Sequence, residues 1–163
     1  MLRWTRNSVR LLTLLAGIEI VVKNLRIYNN QLIKKLTIHE LIGLLKKELN
    51  FSINNLEISF INSHVMIELN KKYLNHKHST DIITFDYSKL DSCIEGEIII
   101  SLDDAFTNSK RFRNSYKVEL LRLVTHGVLH LLGYKDEKKN DKKIMKTKEN
   151  LLTHKYKYLA MEK

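Results

Sequence analysis

The stretch from Ser115 to Leu132 constrains the fold more than any other part of the chain. Its apolar residues, Val118, Leu120, Leu121, Leu123, Val124, Val128, Leu129, Leu131 and Leu132, recur at helical spacing and cover nearly the whole circumference, the pattern of a helix buried on almost all sides. One stripe stays polar. Arg122, His126 and His130 follow one another at i, i+4 and i+8, with Glu119 three residues before Arg122. Groups of this kind are costly to take out of water unless they find partners, so the stripe must face a cleft or a polar network.

Two histidines four apart on a helix project from one face, roughly 5–6 Å apart at Cβ, and can share one metal ion. Gly133 lies three residues past His130, where a left-handed glycine ends a helix and turns the chain, and Asp136 stands beyond that turn. His126, His130 and Asp136 would give two nitrogens and one oxygen around zinc, with a fourth position open to water. Glu137 and Asp141 are competing carboxylates. The plainer reading, two core histidines bonded to backbone carbonyls, suits a lone histidine better than this pair followed by glycine and an acid. A zinc peptidase fits poorly, because H-E-x-x-H requires a glutamate directly after the first histidine and Gly127 stands there.

The rest of the chain reads as alternating strands and helices. Ile18, Ile20 and Val22 alternate with polar residues as a strand, continued by Leu25 and Ile27. Thr37-Ile-His-Glu40 is a capping box opening a helix through Leu49, with His39 solvated near its first turn. Leu56 to Ile61 alternates as a second strand. Ser63 is placed to cap a helix whose Val65, Met66, Leu69 and Tyr73 face inward. Asp81 to Tyr87 is β-rich, Ser88 to Glu95 a linker, and Gly96 to Ser101 a buried strand. Ser101, with Asp103 and Asp104 behind it, caps a helix to about Arg113. Gly127 costs about 1 kcal/mol in a helix relative to alanine, so a crossing strand is expected to need its space. Lys138 to about Lys157 reads as a charged, exposed helix. The expected fold is a single α+β domain: a mixed sheet of about four strands, several helices, and the His-bearing helix at the centre.

A length of 163 residues, 44% of them hydrophobic, suits one domain with a real core. A formal charge of +10 favours a polyanionic partner, although a chain rich in Lys and Asn and without proline also fits a compositional bias of its genome. The single Cys93 excludes an internal disulfide framework and fits a reducing cytosol. Residues 1–17 imitate a targeting peptide, with three early arginines and the apolar run Leu11 to Leu15. Glu19 interrupts that run and no small-x-small cleavage site follows, so 1–17 is read as an extension outside the domain, 18–157 as the domain and 158–163 as a tail.

The run His126-Gly-Val-Leu-His130-Leu-Leu-Gly133-Tyr134 resembles the motif H-G-x-L-H-L-x-G-Y of the YbeY endoribonucleases, which act in ribosomal RNA maturation. In that family the second residue after the motif is the third zinc ligand, usually histidine. Asp136 stands there, preceded by Lys135 where aspartate is common. Leu69-Asn70 with Tyr73, Thr80-Asp81-Ile-Ile-Thr-Phe85, and Gly96-Glu-Ile-Ile-Ile-Ser101 resemble further family segments. Many members place an arginine implicated in cleavage directly after that tyrosine. This chain has Leu74, which leaves His76, Lys77 or His78 to take its duty.

The resemblance, over about residues 18–157, implies a cytoplasmic, zinc-dependent endoribonuclease that cuts single-stranded ribosomal RNA. Its partners would be the ribosomal small subunit and its assembly factors, with no membrane. Zinc would sit on His126, His130 and Asp136, with His76, Lys77 and Arg122 as catalytic candidates and Phe85, Tyr87 or Tyr134 available to stack bases. The alternative is a non-catalytic RNA-binding assembly factor whose zinc is structural.

Overall fold

A computed structural model describes residues 21–28, 32–74 and 78–161. The elements run β1 (Leu25–Tyr28), α1 (Lys35–Leu49), β2 (Ser52–Ile61), α2 (Ser63–Leu69), β3 (Ile82–Asp86), β4 (Cys93–Ser101), α3 (Leu102–Arg111), α4 (Tyr116–Leu131) and α5 (Lys139–Tyr156). They make one α+β domain around a four-stranded mixed sheet of order β1-β2-β4-β3, as the sequence led us to expect. β1, β2 and β4 are parallel, and β3 closes one edge antiparallel to β4.

α4 is the central rod. Leu120, Leu123, Val124, Val128 and Leu129 are buried in one cluster with Ile38, Leu41, Ile42 and Leu45 of α1, Leu56, Ile58 and Phe60 of β2, and Ile94, Ile98 and Ile100 of β4. Burying such side chains stabilises the fold by about 25 cal/mol per Å² of apolar surface removed from water. The contact between α4 and β4 is set by two glycines. A Cβ on Gly127 would lie 2.8 Å from Ile98 Cγ2, and one on Gly96 would lie 2.5 Å from the Phe85 carbonyl oxygen and 2.9 Å from Leu131 Cδ2. The strand expected to need room at Gly127 is therefore β4. The sheet's other face carries a smaller cluster of Met66, Ile83 and Ile99 under α2.

Several local expectations change. The described part of the first strand begins only at Leu25, because Asn24 takes a left-handed φ of 61° and breaks the alternation. Ile18, Ile20 and the 1–17 extension lie outside the described residues. α1 starts two residues before the supposed capping box: Lys34 is its N-cap, and the Thr37 N–H donates to the Lys34 carbonyl at 2.9 Å. His39 is not solvated. Its Nδ1 accepts the Val22 N–H at 3.1 Å, and burial, helped by Lys35, holds its pKa below the usual imidazole value. Asn62, rather than Ser63, caps α2. α2 gives way at Asn70 to a π-helical turn, which leaves Val65 and Tyr73 exposed. The cap at Ser101 forms as expected, accepting the Asp104 N–H, and Ser115 caps α4 in the same way by accepting the Val118 N–H.

The largest change is at α5, expected to be an exposed helix. Met145, Glu149, Leu152 and Tyr156, at i, i+4, i+7 and i+11, form a buried stripe against the core, and the Tyr156 hydroxyl donates to Glu48 of α1. Beyond it a 3₁₀ turn, Lys157–Met161, buries Leu159 and Ala160, so packing runs into the segment read as a tail.

Gly127→Ala should therefore lower stability by about 1–3 kcal/mol through overpacking, even though alanine is the better helix former. Combined with Ile98→Ala, which empties the space, the loss should be less than the sum of the two single losses in denaturant titrations. A Gly127→Ala protein that melts higher than its parent would refute the close crossing.

Candidate metal centre

The site is built at the C-terminal end of α4. Gly133 adopts φ +86°, and a Cβ there would meet nothing within 4 Å, so backbone conformation rather than space selects glycine. The Gly133 and Tyr134 N–H groups donate back to the carbonyls of His130 and Leu129 at 2.9 and 3.0 Å, which ends the helix. The reversal brings the Tyr134 carbonyl 3.0 Å from His130 Nδ1 and Asp136 Oδ2 3.7 Å from His130 Nε2. Ligand atoms of His126, His130 and Asp136 all lie within 4.8 Å of one another.

The hydrogen bonds fix which ring nitrogens carry protons. His126 Nδ1 faces Glu149 Oε2 at 2.5 Å, and His130 Nδ1 faces the Tyr134 carbonyl. Both partners only accept, so each Nδ1 must donate, and in the neutral rings each Nε2 presents a lone pair. Burial, with His126 alongside, lowers the His130 pKa and favours its neutral form. The two Nε2 atoms then meet at 3.0 Å, a distance at which two lone pairs repel unless they share a proton or a metal ion. A tetrahedron with bonds of about 2.0–2.2 Å has edges of about 3.3–3.6 Å, and the observed 3.0 and 3.7 Å bracket that range. The donor set thus fits a small divalent ion. Side-chain exposure rises from 16% at His126 to 23% at His130 and 42% at Asp136, so the group opens to solvent on the carboxylate side.

Glu149 is the residue that sequence reasoning missed. α5 brings it between His126 and Arg122, where Oε1 accepts from Arg122 Nη1 at 3.0 Å. Arg122 spends its other donors on the fully buried Glu119, with Nε to Oε2 at 3.0 Å and Nη2 to Oε1 at 2.7 Å, and stands 3.8 Å from Asp81. Burial alone would lower the Arg122 pKa, but the two glutamates hold it above its usual value. Burial alone would likewise raise that of Glu149, but His126 and Arg122 hold its carboxyl below the usual range. Two carboxylates around one guanidinium leave one negative charge in excess beside the imidazoles, which is a second reason for a cation to settle there.

An open cleft of about 640 Å³ leads to the group, walled by Thr107, Asn108 and Arg111 of α3 and by Lys142, Met145 and Lys146 of α5, with Arg122, His126 and Glu149 at its base. Of the sequence candidates, the structure brings together His126, His130, Asp136 and Arg122. His76 and Lys77 lie outside the described residues. Phe85 packs on the opposite sheet face with Tyr87 beside it, and Tyr134 lines the outer side of α5, so the aromatic ring in the cleft wall is Phe112.

A helix that presents two imidazoles and a nearby carboxylate, spaced for one cation, to an open cleft is the arrangement of a hydrolase. The profile of the family described as Endoribonuclease YbeY matches residues 19–157, and the chain belongs to that family. The endoribonuclease YbeY of Cytophaga hutchinsonii is 37% identical over 120 residues, covering 74% of this chain and 84% of the relative. That of Bacteroides fragilis is 39% identical over 111 residues, covering 68% and 75%. The solution structure of a Thermotoga maritima protein superposes with a TM-score of 0.59 at 25% identity, over 81% of this chain and 88% of that one.

Replacing Glu149 by Gln puts an amide N–H₂ against either Arg122 or His126 Nδ1, both of them donors. His126 should then populate both neutral tautomers in ¹⁵N spectra, and divalent-ion affinity should fall about 10–100-fold in chelator competition. An unshifted His126 spectrum with unchanged affinity would remove Glu149 from the site.

Proposed function

We propose that this chain is a zinc-dependent endoribonuclease that cuts single-stranded RNA in ribosomal RNA maturation, with zinc held by His126, His130 and Asp136. The observation that carries the reading is the facing pair of Nε2 atoms at 3.0 Å, joined by a carboxylate at the mouth of an open cleft in a member of an endoribonuclease family. A zinc ion in that position supplies Lewis acidity toward a phosphodiester and lowers the pKa of water it coordinates.

The chain's own groups do the rest. Glu149 and the Tyr134 carbonyl hold each imidazole by Nδ1, so both rings keep Nε2 turned toward the shared point. Arg122 is assigned as a positioning residue: with its donors committed to Glu119 and Glu149, it orients the carboxylate that orients His126. His76 and Lys77, in a basic stretch of the sequence, are assigned to hold the RNA backbone. The domain, expected from the sequence as 18–157, is taken to continue through the buried Leu159 and Ala160, with 1–17 an extension. Its setting is taken as the cytoplasm, with the small ribosomal subunit and its assembly factors as partners. Among the described residues no helix is long and apolar enough to cross a membrane. The exposure of Asp136 speaks against the alternative of a closed structural site in a non-catalytic factor, since structural zinc takes four protein ligands.

Asp136→Ala should purify with little zinc by elemental analysis and show no chelator-sensitive cleavage of single-stranded RNA, while Asp136→His retains both. Full zinc occupancy in Asp136→Ala would overturn the ligand set. A protein starting at Ile18 should melt within a few degrees of the full chain and keep its metal; loss of either would make 1–17 part of the fold.

A further inference from the structure

The cleft holds carboxylates that are engaged and, besides the committed Arg122, three cations that no acid pairs. Asp104 accepts the Ser79 and Ser101 hydroxyls, Asp81 accepts the Asn108 amide, and Glu149 is shared by His126 and Arg122. Outside the cleft Arg26 pairs with Glu57, Lys71 with Glu68 and Lys155 with Glu48, while Lys23, Lys72, Lys89 and Lys110 form no ion pair among the described residues. Arg111, Lys142 and Lys146 line the cleft and form no ion pair among the described residues. The guanidinium of Arg111 lies over the Phe112 ring, 5.5 Å from its centroid.

Their placement is ordered. Lys142, Met145, Lys146, Glu149 and Asn150 stand at i, i+3, i+4, i+7 and i+8 of α5, a single helix face that looks into the cleft. The same face that delivers Glu149 to His126 thus sets two ammonium groups on the wall above it. Arg111 and Phe112 face them from the end of α3.

We propose that Lys142 and Lys146, with Arg111 across the cleft, form a subsite for backbone phosphates that draws single-stranded RNA along the cleft to His126, His130 and Asp136. Phe112 supplies an exposed ring against which a base stacks. The subsite rests on the nuclease reading and adds to it a path for the strand. It gives α5 two tasks, orienting a metal ligand from its buried stripe and gripping substrate from the adjoining one.

The test uses the full zinc-loaded chain, a fluorescent 2′-O-methyl oligonucleotide that cannot be cut, and the matching natural RNA. Lys142→Gln/Lys146→Gln should bind the oligonucleotide roughly tenfold more weakly at low salt, with a log–log salt slope flatter by about 1.4, two contacts at about 0.7 each. Its KM for natural RNA should rise while kcat stays near the parent value, and Lys142→Arg/Lys146→Arg should behave like the parent. A charge-matched control, Lys23→Gln/Lys46→Gln, alters residues outside the cleft lining and should change neither slope nor KM. Equal losses in variant and control would reduce the effect to net charge and overturn the subsite. An unchanged slope in the cleft variant, with cleavage intact, would overturn it while leaving the nuclease reading standing. A parent protein that neither binds nor cuts RNA would overturn both.

Discussion

The Glu149 carboxylate is the joint on which the site depends. One oxygen faces His126 and the other takes Arg122, whose remaining donors close on the buried Glu119. The chain of contacts ties α5 to α4 through charges that cannot be left single in a dry interior, where breaking a buried pair costs about 3–5 kcal/mol. It also makes imidazole geometry a property of the tertiary fold. Two histidines on a free helix would rotate and exchange tautomers, whereas here the packing of Met145, Leu152 and Tyr156 holds the carboxylate where it is needed.

The sheet serves this joint indirectly. β4, whose Ile94, Gly96, Ile98 and Ile100 make one wholly apolar face, crosses directly beneath Gly127, and the absence of a side chain there lets α4 lie close to the strand. Gly133 acts after the helix rather than within it, turning the chain so that Tyr134 offers its carbonyl and Asp136 its side chain to the same imidazole. Two glycines only six residues apart thus act differently, one through lack of volume and one through backbone freedom.

Much of this was legible in the sequence because it is local. The all-round apolar pattern of 116–131, the i, i+4 histidines, the helix-ending glycine and the cap at Ser101 depend on neighbours within a turn or two. What was missed depends on distance. Glu149 contacts His126 across 23 positions, and its helix carries so many lysines that its apolar stripe reads as a solvated surface. The signal was present, an acid at the second position of the repeat Met145, Glu149, Leu152, Tyr156, but it acquires meaning only once α4 is known to need a carboxylate. The capping box at Thr37 failed for a similar reason. Tertiary packing set the start of α1 two residues earlier, and His39 was drawn in to accept the Val22 N–H.

The separation between the imidazoles and Glu149 also bears on how the chain matures as it is made. α4 is synthesised with both histidines before α5, so until α5 docks the helix lacks the group that aligns His126. Until α5 docks, Arg122 has Glu119 and Asp81 but not Glu149, and no carboxylate holds Nδ1. On the nuclease reading, hydrolytic competence arrives late, after the final helix seats, and an unfinished polypeptide still attached to the ribosome is poorly equipped to damage the RNA around it.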